Sequence, residues 1–116
     1  MGEAKIFLGQ GSSFCGKLLF RETVRIDGDF EGEIHGGASL IIGATGKVRA
    51  KIEVENIAIS GSLWGSVKAG GLVEILPAGR FWGDLKTRKL RIHEGAFFEG
   101  SSQMENEETA EKQEIE

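Results

Sequence analysis

Two histidines, one cysteine and two aspartates astride a glycine are the residues of this 116-residue chain whose types suit chemistry. His35 or His93 could act as a general base, Cys15 as a thiolate nucleophile, and Asp27 with Asp29 as oxygen ligands for a cation. Their spacing argues against each use. The histidines and the cysteine are scattered and not set at the short intervals of metal ligands, and no glycine-rich loop followed by Lys-Ser/Thr exists to cradle phosphates. His35 falls in an outward phase after Ile34, and His93 opens a turn after Ile92, so both read as surface residues. Asp27 and Asp29 flank Gly28 as solvated turn formers, and Cys15, without a partner cysteine, reads as an exposed reduced thiol. We therefore expect no catalytic residue, no cofactor and no metal.

The elements that would have to position any site are legible as a repeat. An apolar-x-apolar triplet recurs as Ile6-Phe7-Leu8, Val24-Arg25-Ile26, Leu40-Ile41-Ile42, Ile57-Ala58-Ile59, Val73-Glu74-Ile75 and Leu90-Arg91-Ile92, at steps of 18, 16, 17, 16 and 17 residues. A second signature, apolar-x-small-x-apolar, follows each triplet: Phe14 to Leu18, Phe30 to Ile34, Val48 to Ile52, Leu63 to Val67 and Phe81 to Leu85. A sixth copy, Phe98 to Ser102, loses its last apolar residue. Alternation puts one face of each segment in a dry interior, which is strand behaviour and not the three-and-four spacing of a helix. Stacked at the ~4.8 Å spacing of paired strands, the repeats predict an all-β, single-domain parallel β-helix of about six rungs, 16–18 residues each. Phe14, Phe30, Val48, Leu63, Phe81 and Phe98 should form one inward ladder.

One small residue stands between the two apolar positions of every second signature: Gly16, Gly32, Ala50, Gly65, Gly83 and Gly100. Its alternating phase favours a small inward side chain where the walls converge over a glycine held at positive φ. Turns are expected instead at Gly9 to Gly11, Asp27 to Asp29, Gly43 to Gly46, Ser60 to Ser62, Pro77 to Gly79 and Glu94-Gly95.

Composition narrows the function classes. The net charge of −4 is concentrated in residues 103–116, where six Glu face Lys112, leaving residues 1–102 at +1. Bulk charge therefore offers nothing to nucleic acid. No run reaches the ~20 apolar residues of a transmembrane helix, and no signal peptide is evident, so the chain reads as cytoplasmic. Residues 1–5 form a short disordered N-terminus, 6–102 the β-helix, and 103–116 an acidic disordered tail. Hexapeptide-repeat acyltransferases need strict sixes, which the 16- and 17-residue steps break, and pectinolytic β-helices need longer rungs with inserted loops.

The segments Thr23-Val24-Arg25-Ile26-Asp27-Gly28-Asp29-Phe30-Glu31-Gly32-Glu33-Ile34 and Gly95-Ala96-Phe97-Phe98-Glu99-Gly100 resemble the core signature of bactofilins, with the match running from about Ile6 to Gly100. That resemblance implies a bacterial cytoskeletal protein with a right-handed parallel β-helix that polymerises, without nucleotide, into apolar filaments. It also implies partners among cell-wall or cell-shape factors. Many members carry a disordered leader with a membrane-binding segment, for which residues 1–5 leave little room, so membrane attachment is left open.

The architecture suggests assembly too, because a solenoid exposes unpaired strand edges over an apolar core at each end. No amphipathic lid is evident in the flanking sequence. Ile6 and Leu8 at one end, with Leu90, Ile92 and Phe98 at the other, are therefore the expected polymerisation interface. An outward column running Cys15, Glu31, Arg49, Trp64, Trp82 places two tryptophans on adjacent rungs. With Lys68 and Lys86 in a neighbouring column they form an expected partner-docking wall. A non-filamentous adaptor displaying that wall is the competing reading.

Overall fold

The computed structural model describes residues 6–104 and contains nine β-strands: β1 (Ile6–Leu8), β2 (Ser13–Phe20), β3 (Thr23–Ile26), β4 (Asp29–Gly36), β5 (Ser39–Ile42), β6 (Lys47–Ile59), β7 (Ser62–Ile75), β8 (Arg80–Ile92) and β9 (Phe97–Met104). Every pairing is parallel, and each strand hydrogen-bonds to the segment one repeat away. The result is a parallel β-solenoid of six rungs, measuring 36 × 25 × 23 Å. β6, β7 and β8 are long because each closes one rung and opens the next. The strand path extends to Met104, two residues past the boundary expected at 102. The expectations for residues 1–5 and 105–116 lie outside the described residues.

The registers reproduce the columns that the repeat predicts. Ile6, Val24, Leu40, Ile57, Val73 and Leu90 are successive partners, as are Phe14, Phe30, Val48, Leu63, Phe81 and Phe98. From rung two to rung five these columns are buried, with Phe30 and Phe81 among the largest fully enclosed side chains. Each such burial contributes roughly 1.5–3 kcal/mol, before the entropy of ordering the rung is set against it. The uneven period comes largely from the turn after each triplet. Four residues join the strands in rungs one, three, five and six, and only two in rungs two and four. The longer turns close with an i to i+3 bond, such as Gly46 N donating to Gly43 O at 2.9 Å and Gly79 N to Leu76 O at 2.7 Å.

The glycine column overturns one expectation. Gly16, Gly32, Gly65, Gly83 and Gly100 have φ between 134° and 140°, the positive region that their alternating phase had argued against. They are corners at which one flat wall turns into the next without the strand pairing being interrupted. A Cβ at Gly32, Gly65, Gly83 or Gly100 would press on the carbonyl oxygen of the same column one rung before, far inside the 3.0 Å that real Cβ atoms respect. Two independent requirements, a left-handed backbone and direct carbonyl stacking, thus select glycine. Ala50, 8% exposed, is the one member that meets the inward-side-chain reading.

A further corner is irregular and uses side chains to close the backbone. The ladder skips Glu55, Gly70-Gly71 and Arg88 in successive rungs. Asn56 Oδ1 accepts from Leu72 N at 3.1 Å across the gap. The fully buried Thr87 hydroxyl reaches Gly71 O at 3.2 Å and Lys89 O at 3.0 Å. Buried polar groups here have partners, as a dry interior demands.

Candidate functional site

The residues with chemical potential remain apart. His35 lies between two carboxylates, Nε2 to Glu33 Oε1 at 3.2 Å and Nδ1 to Glu53 Oε1 at 3.3 Å, and His93 Nε2 meets Glu74 Oε2 at 2.7 Å. Arg25 pairs with Asp27 at 2.8 Å, and that hydrogen bond holds the guanidinium pKa above its ordinary value. Asp27 is thereby committed to Arg25, and Cys15 is exposed. Among the described residues no group of His, Cys, Asp and Glu could hold a metal.

The two ends carry the exposed apolar surface. Ile6 and Leu8 lie in rung one, and Leu90, Ile92 and Phe98 in rung six, so the expected interface residues form two separate clusters at opposite ends. Phe98 stacks on Phe81 with centroids 5.4 Å apart and planes 7° from parallel, and is half-buried because no further rung of the described chain covers its other face. Ile92 is half-buried and Leu90 is buried. At the other end Phe14 meets Phe30 edge-on at 5.4 Å and remains 40% exposed.

Three end residues were missed in the sequence reading: Phe7 at 60%, Leu19 at 65% and Phe97 at 42% exposure. They point outward, in columns where inner rungs carry Arg25 and Glu74, His35 and Lys68, or Lys47 and Arg80. Their signal is the loss of alternation: Ile6-Phe7-Leu8, Leu18-Leu19-Phe20 and Phe97-Phe98 are uninterrupted apolar runs. In parallel sheets such runs belong to strands covered on both faces.

Trp64 and Trp82 stack with centroids 4.8 Å apart and planes 6° from parallel. Both are half-buried and less exposed than expected. Arg49 lies 5.1 Å from the Trp64 ring centre, and Phe97 packs against Trp82 at 5.4 Å with its plane tilted by 51°. Neighbours thus cover both sides of the pair, leaving ring edges for the outside. Lys68 and Lys86 adjoin each other in register but lie beyond the Gly65 and Gly83 corners. They line an open depression with His35, Glu53, Asp84 and Gln103 that neither tryptophan enters, so the aromatic and basic residues form two surfaces and not one wall.

A parallel β-solenoid whose apolar columns are left open at both ends is the class of protein that the fold defines. Comparison with known proteins gives the same class. Residues 6–103 match the family described as "Bactofilin: Polymer-forming cytoskeletal". The chain is 32% identical over 97 residues to bactofilin BacP of Myxococcus xanthus, covering 84% of this chain but 40% of that protein. It is 31% identical over 105 residues to BacO of the same organism, covering 90% of this chain and 83% of BacO. A cryo-EM reconstruction of Thermus thermophilus bactofilin double helical filaments superposes with a TM-score of 0.70 at 32% identity, over 84% of this chain and 96% of that one. The chain belongs to the bactofilin family, whose description is structural and not catalytic. No helix among the described residues is long and apolar enough to cross a membrane.

Proposed function

We propose that this chain polymerises end to end, without nucleotide, into cytoplasmic filaments that position partner proteins such as cell-shape or cell-wall factors. The observation that carries the reading is that the inward apolar columns are left open at both terminal rungs: Ile6 and Phe14 are exposed at one end, and Phe98 is only half-buried at the other. Docking another subunit at either end covers these groups and removes an open strand edge. The double helical filaments of the Thermus thermophilus relative support it.

Phe98→Arg tests the reading. An unpaired guanidinium in an apolar joint costs several kcal/mol, whereas in a monomer the long side chain swings into water. The variant is expected to keep its β circular dichroism and elute as a small species without filaments by negative-stain electron microscopy. Leu19→Glu, at a position 65% exposed and therefore neutral to folding, should do the same from the other end. Filaments of wild-type abundance from both variants would remove the terminal rungs as the joint.

A further inference from the structure

The aromatic column is complementary to itself. Its members in register order are Glu31, Arg49, Trp64, Trp82 and Glu99, one per rung from the second to the sixth. Around the midpoint between Trp64 and Trp82 the order reads cation, aromatic, aromatic, anion. A twofold axis through that midpoint, perpendicular to the solenoid, lays a second copy of the column on the first in the opposite direction. Trp64 of one copy then faces Trp82 of the other, and Arg49 faces Glu99 twice. The adjoining column on the same face raises no objection: Arg80 meets Ser62 and Lys47 meets Phe97, with no like charges opposed. Same-direction pairing at equal height does the reverse, setting Arg49 against Arg49 and Glu99 against Glu99.

We infer that this wall is a lateral contact between two filaments of this same chain, formed by antiparallel apposition of the Arg49-Trp64-Trp82-Glu99 column. The inference rests on the polymer reading above and adds a second, lateral surface to it. An isologous patch of this kind is self-complementary by construction. The ring edges left outward supply its apolar centre, and the two charge pairs supply its register and direction. One such patch is small, so isolated subunits stay unpaired. A filament presents the patch once per subunit, and linked weak contacts add up to stable pairing. Phe97 packs on Trp82 and belongs also to the terminal rung, so the wall is continuous with the end joint.

Glu99→Arg tests this, because Glu99 is exposed and its replacement leaves the Trp stack intact. Wild-type filaments are expected to be paired by negative-stain electron microscopy, and Glu99→Arg filaments to be about half as wide, with polymer mass unchanged by sedimentation. The exchanged variant Arg49→Glu with Glu99→Arg restores opposite charges across the axis and should recover the paired width. Glu99→Arg filaments of wild-type width, or an exchange that fails to recover pairing, overturn the lateral contact. Single wild-type filaments overturn it too, while leaving polymerisation standing. If the wild type forms no filaments, the polymer reading itself fails.

Discussion

Gly83→Ala measures what the corner column contributes. At Gly83 the backbone has φ +134°, which costs a residue with a Cβ about 1–3 kcal/mol. The new methyl also presses on Gly65 O, a backbone atom held in its ladder, and relieving that contact means parting rungs four and five locally. Overpacking of this kind costs typically 1–3 kcal/mol, so the variant should lose roughly 2–6 kcal/mol. Gly16 separates the two causes, since it has φ +135° but nothing within 4 Å of where its Cβ would stand. Gly16→Ala should lose only the conformational part, about 1–3 kcal/mol, with fraying of the end rung relieving some of that. The entropic gain from constraining the unfolded chain is the same in both and cancels. Urea unfolding followed by circular dichroism, at one fixed protein concentration because assembly raises apparent stability, should place the Gly83→Ala midpoint on the order of 1 M below that of Gly16→Ala. Equal midpoints would show that carbonyl stacking is not what reserves the inner corners for glycine. A Gly83→Ala variant as stable as wild type would refute the left-handed corner altogether.

Assembly should be indifferent to ATP, GTP and their hydrolysis, because the chain holds no phosphate cradle; sedimentation that changes sharply with nucleotide would contradict this. Thr87→Val keeps the shape of a fully buried side chain but removes the hydroxyl that reaches Gly71 O and Lys89 O. It should cost about 1–2 kcal/mol and lower the melting temperature by roughly 5–15 °C, while an unchanged melting curve would mean that those carbonyls are satisfied otherwise.

The rungs, their inward columns and their turns were legible because a strand repeats its facing every second residue and a solenoid repeats its columns every turn. Two periods in one sequence leave few registers to choose from. The corner glycines were legible as a column and illegible as a conformation. A glycine between Phe30 and Ile34 keeps the alternating phase whether it points a hydrogen inward or turns the chain at positive φ, and only the carbonyl above it distinguishes the two. The wall was read one step too simply for a related reason. Trp64 and Lys68 share an outward phase along β7, but the turn at Gly65 between them sends their side chains to different faces. Phe7, Leu19 and Phe97 were readable in principle, since a triplet that stops alternating is itself a signal, but they were absorbed into the repeat they interrupt.

Every rung pairs with the one before it at a separation of 15 to 18 residues, never with a distant part of the chain. Loop closure therefore costs nearly the same at each step, and nearest-neighbour pairing lets the chain fold as a zipper that grows outward from whichever pair of rungs forms first. The inner rungs, spanned by the long strands β6, β7 and β8, are the natural nucleus. On this footing the terminal rungs are the last to close and the first to open. If subunits join at those rungs as proposed, an arriving subunit stabilises the rung that frays first, and a chain inside a filament should unfold more slowly than a chain at its tip.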